Sequence, residues 1–260
     1  MDLGLKGRTA LITGGSKGIG YAIAEMLAAE GCKLILVARN QSDLDEAKKK
    51  LDAAKAPGVI VHSADLSKES EARALAARFP DVDILVNNAG AIRPGSIEEV
   101  TDELWRGYWD LKVFGYINLT RAFYSLMKAR RKGVIINILG NGGEAPDAGY
   151  IAGAACNASL MAFTRALGGQ SDRDGVRVVG VNPGPVATER LIGLMKTESK
   201  RVHGDESRWE EFSKGFPFGR AAKVEEIGAT VALLASDLSS YTTGTVVTID
   251  GGMVNSGSLI

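Results

Sequence analysis

The chain has 260 residues, 45% of them hydrophobic, and its 31 Lys and Arg balance 31 Asp and Glu. Charge this evenly matched argues against a nucleic-acid or membrane-surface binder, and no apolar run approaches the length of a membrane span. Size and hydrophobic content allow one large core. Only Cys32 and Cys156 occur, in no metal-ligand spacing, so the sequence predicts two free thiols, no metal site and a cytoplasmic protein. The opening "MDLGLKGRTALITGG" reads as a turn and a strand rather than a charged-then-apolar leader.

Taken in chain order, short apolar runs alternate with amphipathic segments. Strands are predicted at 8–13, 33–38, 58–63, 83–88, 133–139, 176–182 and 245–250. They are β-branched and apolar on both faces, as buried parallel strands are. "GYAIAEMLAAEG" reads as a helix closed by Gly31, and "SDLDEAKKKLDAAK" as one capped by Ser42, acidic at its start and basic at its end. Strand–helix repetition without a linker predicts an α/β fold. The expected form is a single-domain Rossmann-type doubly wound parallel sheet over 1–260, with about seven strands and helices on both faces. The stretch at about 189–220 is charged, aromatic and poorly patterned, and is a candidate substrate lid.

"TGGSKGIG" (13–20) follows the first strand and opens the first helix. Glycine there permits a tight turn and close approach to a pyrophosphate, which the helix N-terminus then receives. Gly14, Ser16, Lys17, Gly18, Ile19 and Gly20 are the candidate contacts. The second strand ends Ala38–Arg39, where an NAD site would carry an acid for the ribose 2′-hydroxyl. Arg39 together with Lys17 favours the 2′-phosphate of NADP(H) over NAD(H).

With "TGGSKGIG", "ADLS" (64–67), "NNAG" (87–90), "NPGPVAT" (182–188) and "TGTVVTIDGG" (243–252), the chain resembles the short-chain dehydrogenase/reductase family over nearly its full length. The resemblance implies that Asp65 and Leu66 flank the adenine, and that Asn88, Ala89 and Gly90 run beside the ribose. Pro183, Gly184, Val186 and Thr188 would hold the nicotinamide carboxamide. It also implies a homodimer or homotetramer built on long helices around 101–130 and 153–173.

Members of that family usually carry Asn, Ser, Tyr and Lys in catalysis. Anchored on Trp105, Gly115, "GVIINILG" and "LMAFTRAL", those positions fall on Lys112, Gly140, Gly153 and Asn157. Both hydroxyls are gone, and Asn and Lys have exchanged places. Tyr150 stands three residues too early. The exchange predicts that Lys112 and Asn157 lie within direct or one-water reach. Lys112 would then assist by charge or as proton donor, and Asn157 would bond a ribose hydroxyl. The other reading is drift, with Lys112 solvated or paired to an acid. Tyr150 is either a substitute acid or a residue packed at the cleft edge; Asn141 and Glu144 lie in the adjoining glycine-rich loop. Loss of two side chains predicts a larger pocket.

The functional expectation is an atypical NADP(H)-dependent oxidoreductase. It would move a hydride to or from a small-molecule carbonyl, alcohol or activated substrate. Neither nucleic acid nor membrane is expected as a partner. The alternatives are a pseudoenzyme that binds NADP(H) without turnover, or non-redox chemistry around Lys112.

Overall fold

The computed structural model describes residues 2–90 and 92–256. Seven parallel strands form one sheet in the order β3-β2-β1-β4-β5-β6-β7. They are β1 Thr9–Thr13, β2 Lys33–Ala38, β3 Val59–Ser63, β4 Ile84–Asn87, β5 Gly133–Ile138, β6 Val176–Pro183 and β7 Val246–Ile249. The helices are α1 Gly18–Ala29, α2 Gln41–Ala53, α3 Glu69–Arg78, α4 Asp102–Tyr108, α5 Gly115–Arg130, α6 Ile151–Gly168, α7 Glu189–His203 and α8 Val224–Ala235.

The sheet is apolar on both faces because successive strand residues enter opposite cores. Ile12, Leu34, Leu36 and Val86 pack with Ile23 and Leu27 of α1, Leu44 of α2 and Val231 of α8. Their neighbours Leu11, Ile35, Val37 and Leu85 pack on the other face with Leu75 of α3 and Leu119 and Phe123 of α5. Burying each such side chain is worth about 1.5–3 kcal/mol, so a one-residue slip of any central strand would be costly. Strand order reverses between β1 and β4, which opens a crevice at their C-terminal ends.

Three local expectations need correction. Asn40, not Ser42, caps α2: its side chain accepts the N–H groups of Ser42 and Asp43, and so satisfies two donors of the first turn. The helix expected over 101–130 is interrupted by a π-helical turn at Trp109–Phe114. The stretch at 189–220 is more regular than its sequence suggests. Thr188 caps α7 through the Leu191 N–H, Glu189 sits in its first turn, and Lys200, Arg201 and His203 sit in its last. Opposite charges at the two ends favour the helix.

Candidate active site

The crevice begins at the glycine turn after β1. Gly14 and Gly18 have φ of +62° and +54°, a conformation that side-chain-bearing residues avoid. Gly20 must be bare for a different reason: a Cβ there would come 2.2 Å from the Gly14 carbonyl oxygen. Asn88 braces the turn by donating from Nδ2 to the Thr13 carbonyl (2.9 Å), while Asn88 and Ala89 N–H both donate to Thr13 Oγ1 (2.9 and 3.0 Å). Lys17, at the N-cap of α1, supplies no side-chain cap, and the first turn of α1 carries no acid. Donors left this way suit a pyrophosphate. Ser16 is half-buried in the turn, and Ile19 packs against the core beneath it.

Just beyond the C-terminal end of β2, Arg39 is exposed and, among the described residues, makes no ion pair. Lys17 is different: its Nζ lies 3.0 Å from Asp43 Oδ2, so a carboxylate already offsets its charge. Asp65 is turned onto Ser67, whose hydroxyl donates to it at 2.8 Å. That bond holds the carboxyl below its ordinary range, with small help from the charges of Lys68 and Arg39. Leu66 is buried, and its carbonyl would meet a Cβ on Gly115 at 3.0 Å.

At the other end, Pro183 closes β6, and Gly184 N–H donates to the Ile249 carbonyl at 3.0 Å. A Cβ on Gly184 would reach Asp250 Cβ at 2.8 Å, so the chain leaving β7 is packed tightly behind it. Val186 is buried and pairs with Ala222. Thr188 reaches back to the glycine turn, since a Cβ on Gly18 would touch its methyl at 3.3 Å.

The centre of the crevice holds the altered positions. A π-helical turn carries one more residue than an α-turn, and this one inserts Lys112 into the interior with only 8% of its surface exposed. Its Nζ donates to Asn157 Oδ1 at 2.7 Å and to the Leu139 carbonyl at 3.0 Å. The contact expected from the exchange of residue types is therefore direct. Among the described residues no carboxylate lies within ion-pair distance of Lys112. Burial lowers its pKa from 10.5 to about 8, a trend that the charge of Cys156 opposes weakly and that of Arg190 assists. An ammonium has three donors, and two are used among the described residues.

The expectation of a larger pocket is not met at either glycine, because new side chains have entered the vacated space. A Cβ at Gly140 would come 2.8 Å from Asn157 Nδ2, and one at Gly153 would come 2.0 Å from Tyr150 Cζ. Tyr150 precedes α6 with non-helical φ and ψ of −134° and 36°, which lets its ring fold back along the first turn onto Gly153. The phenol makes no hydrogen bond within the described residues, and burial raises its pKa while the Arg190 charge opposes that rise. Glu144 is turned away to the Thr248 hydroxyl (2.9 Å), and Asn141 Nδ2 rests on Met253 Sδ at 3.4 Å. Behind the crevice, Asn87 Nδ2 donates to Asn137 Oδ1 (2.9 Å) and Thr120 Oγ1 (3.1 Å), and Asn137 donates on to Thr164, tying β4 and β5 to α5 and α6.

Sequence reasoning did not single out Arg190, Asn182 or the Leu139 carbonyl. Arg190 donates to the Ile92 carbonyl, and Asn182 Oδ1 accepts the Gly140 N–H at 3.0 Å. No local pattern marks these contacts, because each joins segments at least 27 residues apart.

A parallel doubly wound sheet with a braced glycine turn at its switch point defines the class: a Rossmann-type dinucleotide-binding fold. Within that class, the chain belongs to the short-chain dehydrogenase family, whose pattern matches residues 8–199. It is 34% identical to the 3-oxoacyl-[acyl-carrier-protein] reductase FabG of Escherichia coli (strain K12), over 96% of this chain and 99% of that one. Among solved structures it is similar to L-sorbose reductase from Gluconobacter frateurii complexed with NADPH and L-sorbose. There the TM-score is 0.92 at 33% identity, covering 98% of this chain and 100% of that one. A variant of actinorhodin polyketide ketoreductase with NADPH gives a TM-score of 0.89 at 29% identity, covering 96% of this chain and 98% of that one. Among the described residues no helix is long and apolar enough to cross a membrane.

Proposed function

We propose that this protein is an NADPH-dependent reductase of small-molecule carbonyl compounds in which Lys112 replaces the usual tyrosine as proton donor. The observation that carries the reading is the setting of Lys112: buried, bonded to Asn157 Oδ1 and the Leu139 carbonyl, without a carboxylate partner. Drift would not be expected to keep a lysine desolvated at the base of a cleft, since burying an ammonium is costly.

The bare turn at Gly14, Gly18 and Gly20 and the uncapped start of α1 fit a dinucleotide pyrophosphate. Arg39 suits a 2′-phosphate, and the NADPH bound in the sorbose reductase and the ketoreductase supports the same choice. Bound NADPH would supply the hydride for the carbonyl carbon. Lys112 polarises the carbonyl oxygen with its remaining N–H and passes a proton to it, leaving an alcohol and a neutral amine. Asn157 holds the ammonium through Oδ1. Tyr150 closes the side of the pocket over Gly153 and offers its hydroxyl to the substrate. Helix α7 and the stretch to residue 220 serve as the lid, with Arg190 joining its first turn to the chain at Ile92.

The reading is tested by following NADPH oxidation with a panel of activated ketones and aldehydes. Turnover by the wild type that disappears in Lys112→Met, with NADPH affinity held within about tenfold, supports it. The missing hydroxyls at 140 and 153 favour a second reading, a cofactor-binding protein without turnover. It is preferred if NADPH binds and no member of the panel is reduced.

A further inference from the structure

Gly90 and the stretch Ile92–Gly95 gather three polar groups around them. A Cβ on Gly90 would lie 3.1 Å from Lys112 Cδ. The Ile92 carbonyl accepts a hydrogen bond from Arg190. Gly95 pairs with Tyr150 and donates its N–H to the Gly149 carbonyl at 2.7 Å. Lys112, Arg190 and Tyr150 therefore stand around the same mouth of the crevice, although 78 residues of sequence separate the two cations.

Of the two cations, Lys112 is buried and Arg190 is exposed to solvent. Among the described residues Arg190 makes that one hydrogen bond and no ion pair, and Lys112 makes no ion pair either. Nearby carboxylates are engaged elsewhere. Glu99 accepts the Ser96 N–H at 2.8 Å, and Glu144 lies against Thr248 and Arg165. The field of Arg190 acts inward, on Lys112 and Tyr150. A guanidinium has five donors in a fork that matches a carboxylate, and only one is spent on Ile92.

We propose that the substrate is an oxo acid, with Arg190 binding its carboxylate while Lys112 faces its carbonyl oxygen. The assignment rests on the reductase reading given above and deepens it by naming the substrate class. Arg190 acts in binding and specificity. The substrate carboxylate would pair with the exposed Arg190 guanidinium beside the buried Lys112 ammonium.

The experiment uses the complex with NADP+, which cannot reduce a ketone, so that binding is read apart from turnover. Pyruvate, acetoacetate and 4-oxopentanoate are titrated by calorimetry beside their methyl esters, with dihydroxyacetone phosphate as a phosphoryl control. At least one oxo acid is expected to bind about tenfold or more tightly than its ester, a difference of roughly 1.4 kcal/mol. Arg190→Met should erase that preference, and Arg190→Lys should retain part of it. Circular dichroism and NADP+ affinity check that the variants are folded. Equal affinities for acid and ester, a preference that survives Arg190→Met, or tighter binding of dihydroxyacetone phosphate than of every oxo acid would overturn the proposal. If the acid binds through Arg190 but is not reduced with NADPH, the reductase reading fails and the carboxylate site stands. If esters are reduced without any acid preference, the reverse holds.

Discussion

The aromatic ring of Tyr150 lies on the bare backbone of Gly153, so closely that a Cβ at 153 would be 2.0 Å from Tyr150 Cζ. Tyr150 and Gly153 are thus two halves of one packing arrangement. The same holds for Gly140, whose missing Cβ leaves room for the Asn157 amide. Neither glycine leaves an open space beside it.

Gly153→Ala should therefore disturb Tyr150 directly. Overpacking of this kind costs about 1–3 kcal/mol, and the cost should vanish in the Tyr150→Ala background. Chemical denaturation of the two single variants and the double variant measures the coupling. Additive effects would show that the ring does not rest on residue 153.

Gly153→Tyr alone should not create an ordinary reductase of unactivated ketones. The new side chain collides with Tyr150, and four residues on stands Asn157, which offers no ammonium to the phenol. Steady-state turnover near the wild-type level or below is the expected result; a large gain would show that the phenol works without its partner.

Lys112 should leave a pH signature in stability. Unfolded, its pKa is 10.5; folded, it is about 8, so between these pH values unfolding takes up a proton. Stability from this group therefore rises with pH across that window, by about 3 kcal/mol at roughly 1.4 kcal/mol per unit. Below pH 8 the full cost of burying the ammonium is present. The difference in unfolding free energy between wild type and Lys112→Met isolates this dependence from the Cys156 thiol, which burial pushes up to about 11. A pH-independent difference would place Lys112 in solvent.

The rate of carbonyl reduction should fall as pH rises through about 8, as the proton donor is lost. Lys112→Met should remove both the activity and this inflection. An unchanged profile in the variant would assign the proton to another group.

Arg39→Asp should shift cofactor choice toward NADH. Loss of a charge-assisted bond to a 2′-phosphate costs about 1.5–3 kcal/mol, which is roughly tenfold to a hundredfold in NADPH affinity. Lys17→Met should do less, because Lys17 is already paired with Asp43 at 3.0 Å. Fluorescence titration of both cofactors distinguishes the two positions, and an equal effect at both would contradict the structure.

Much of this protein is legible in one dimension. Every strand can be read to within a residue or so at each end, because parallel strands buried on both faces are short continuous apolar runs. The glycine turn is equally clear, since backbone conformation and close approach leave few alternatives to glycine at Gly14, Gly18 and Gly20. The family resemblance also implies that Lys112 and Asn157 stand at neighbouring positions. Three-dimensional packing decides the rest. A widened helical turn aims Lys112 inward, and its desolvation follows from that burial and not from any neighbour in sequence. The non-helical backbone at Tyr150 folds its ring over Gly153, where counting residues alone suggests a void. Arg190 joins the mouth of the crevice through its hydrogen bond to the Ile92 carbonyl, 98 positions away. Local periodicity reports which face of an element is buried; it carries no information about which distant side chain will occupy the space a glycine leaves open.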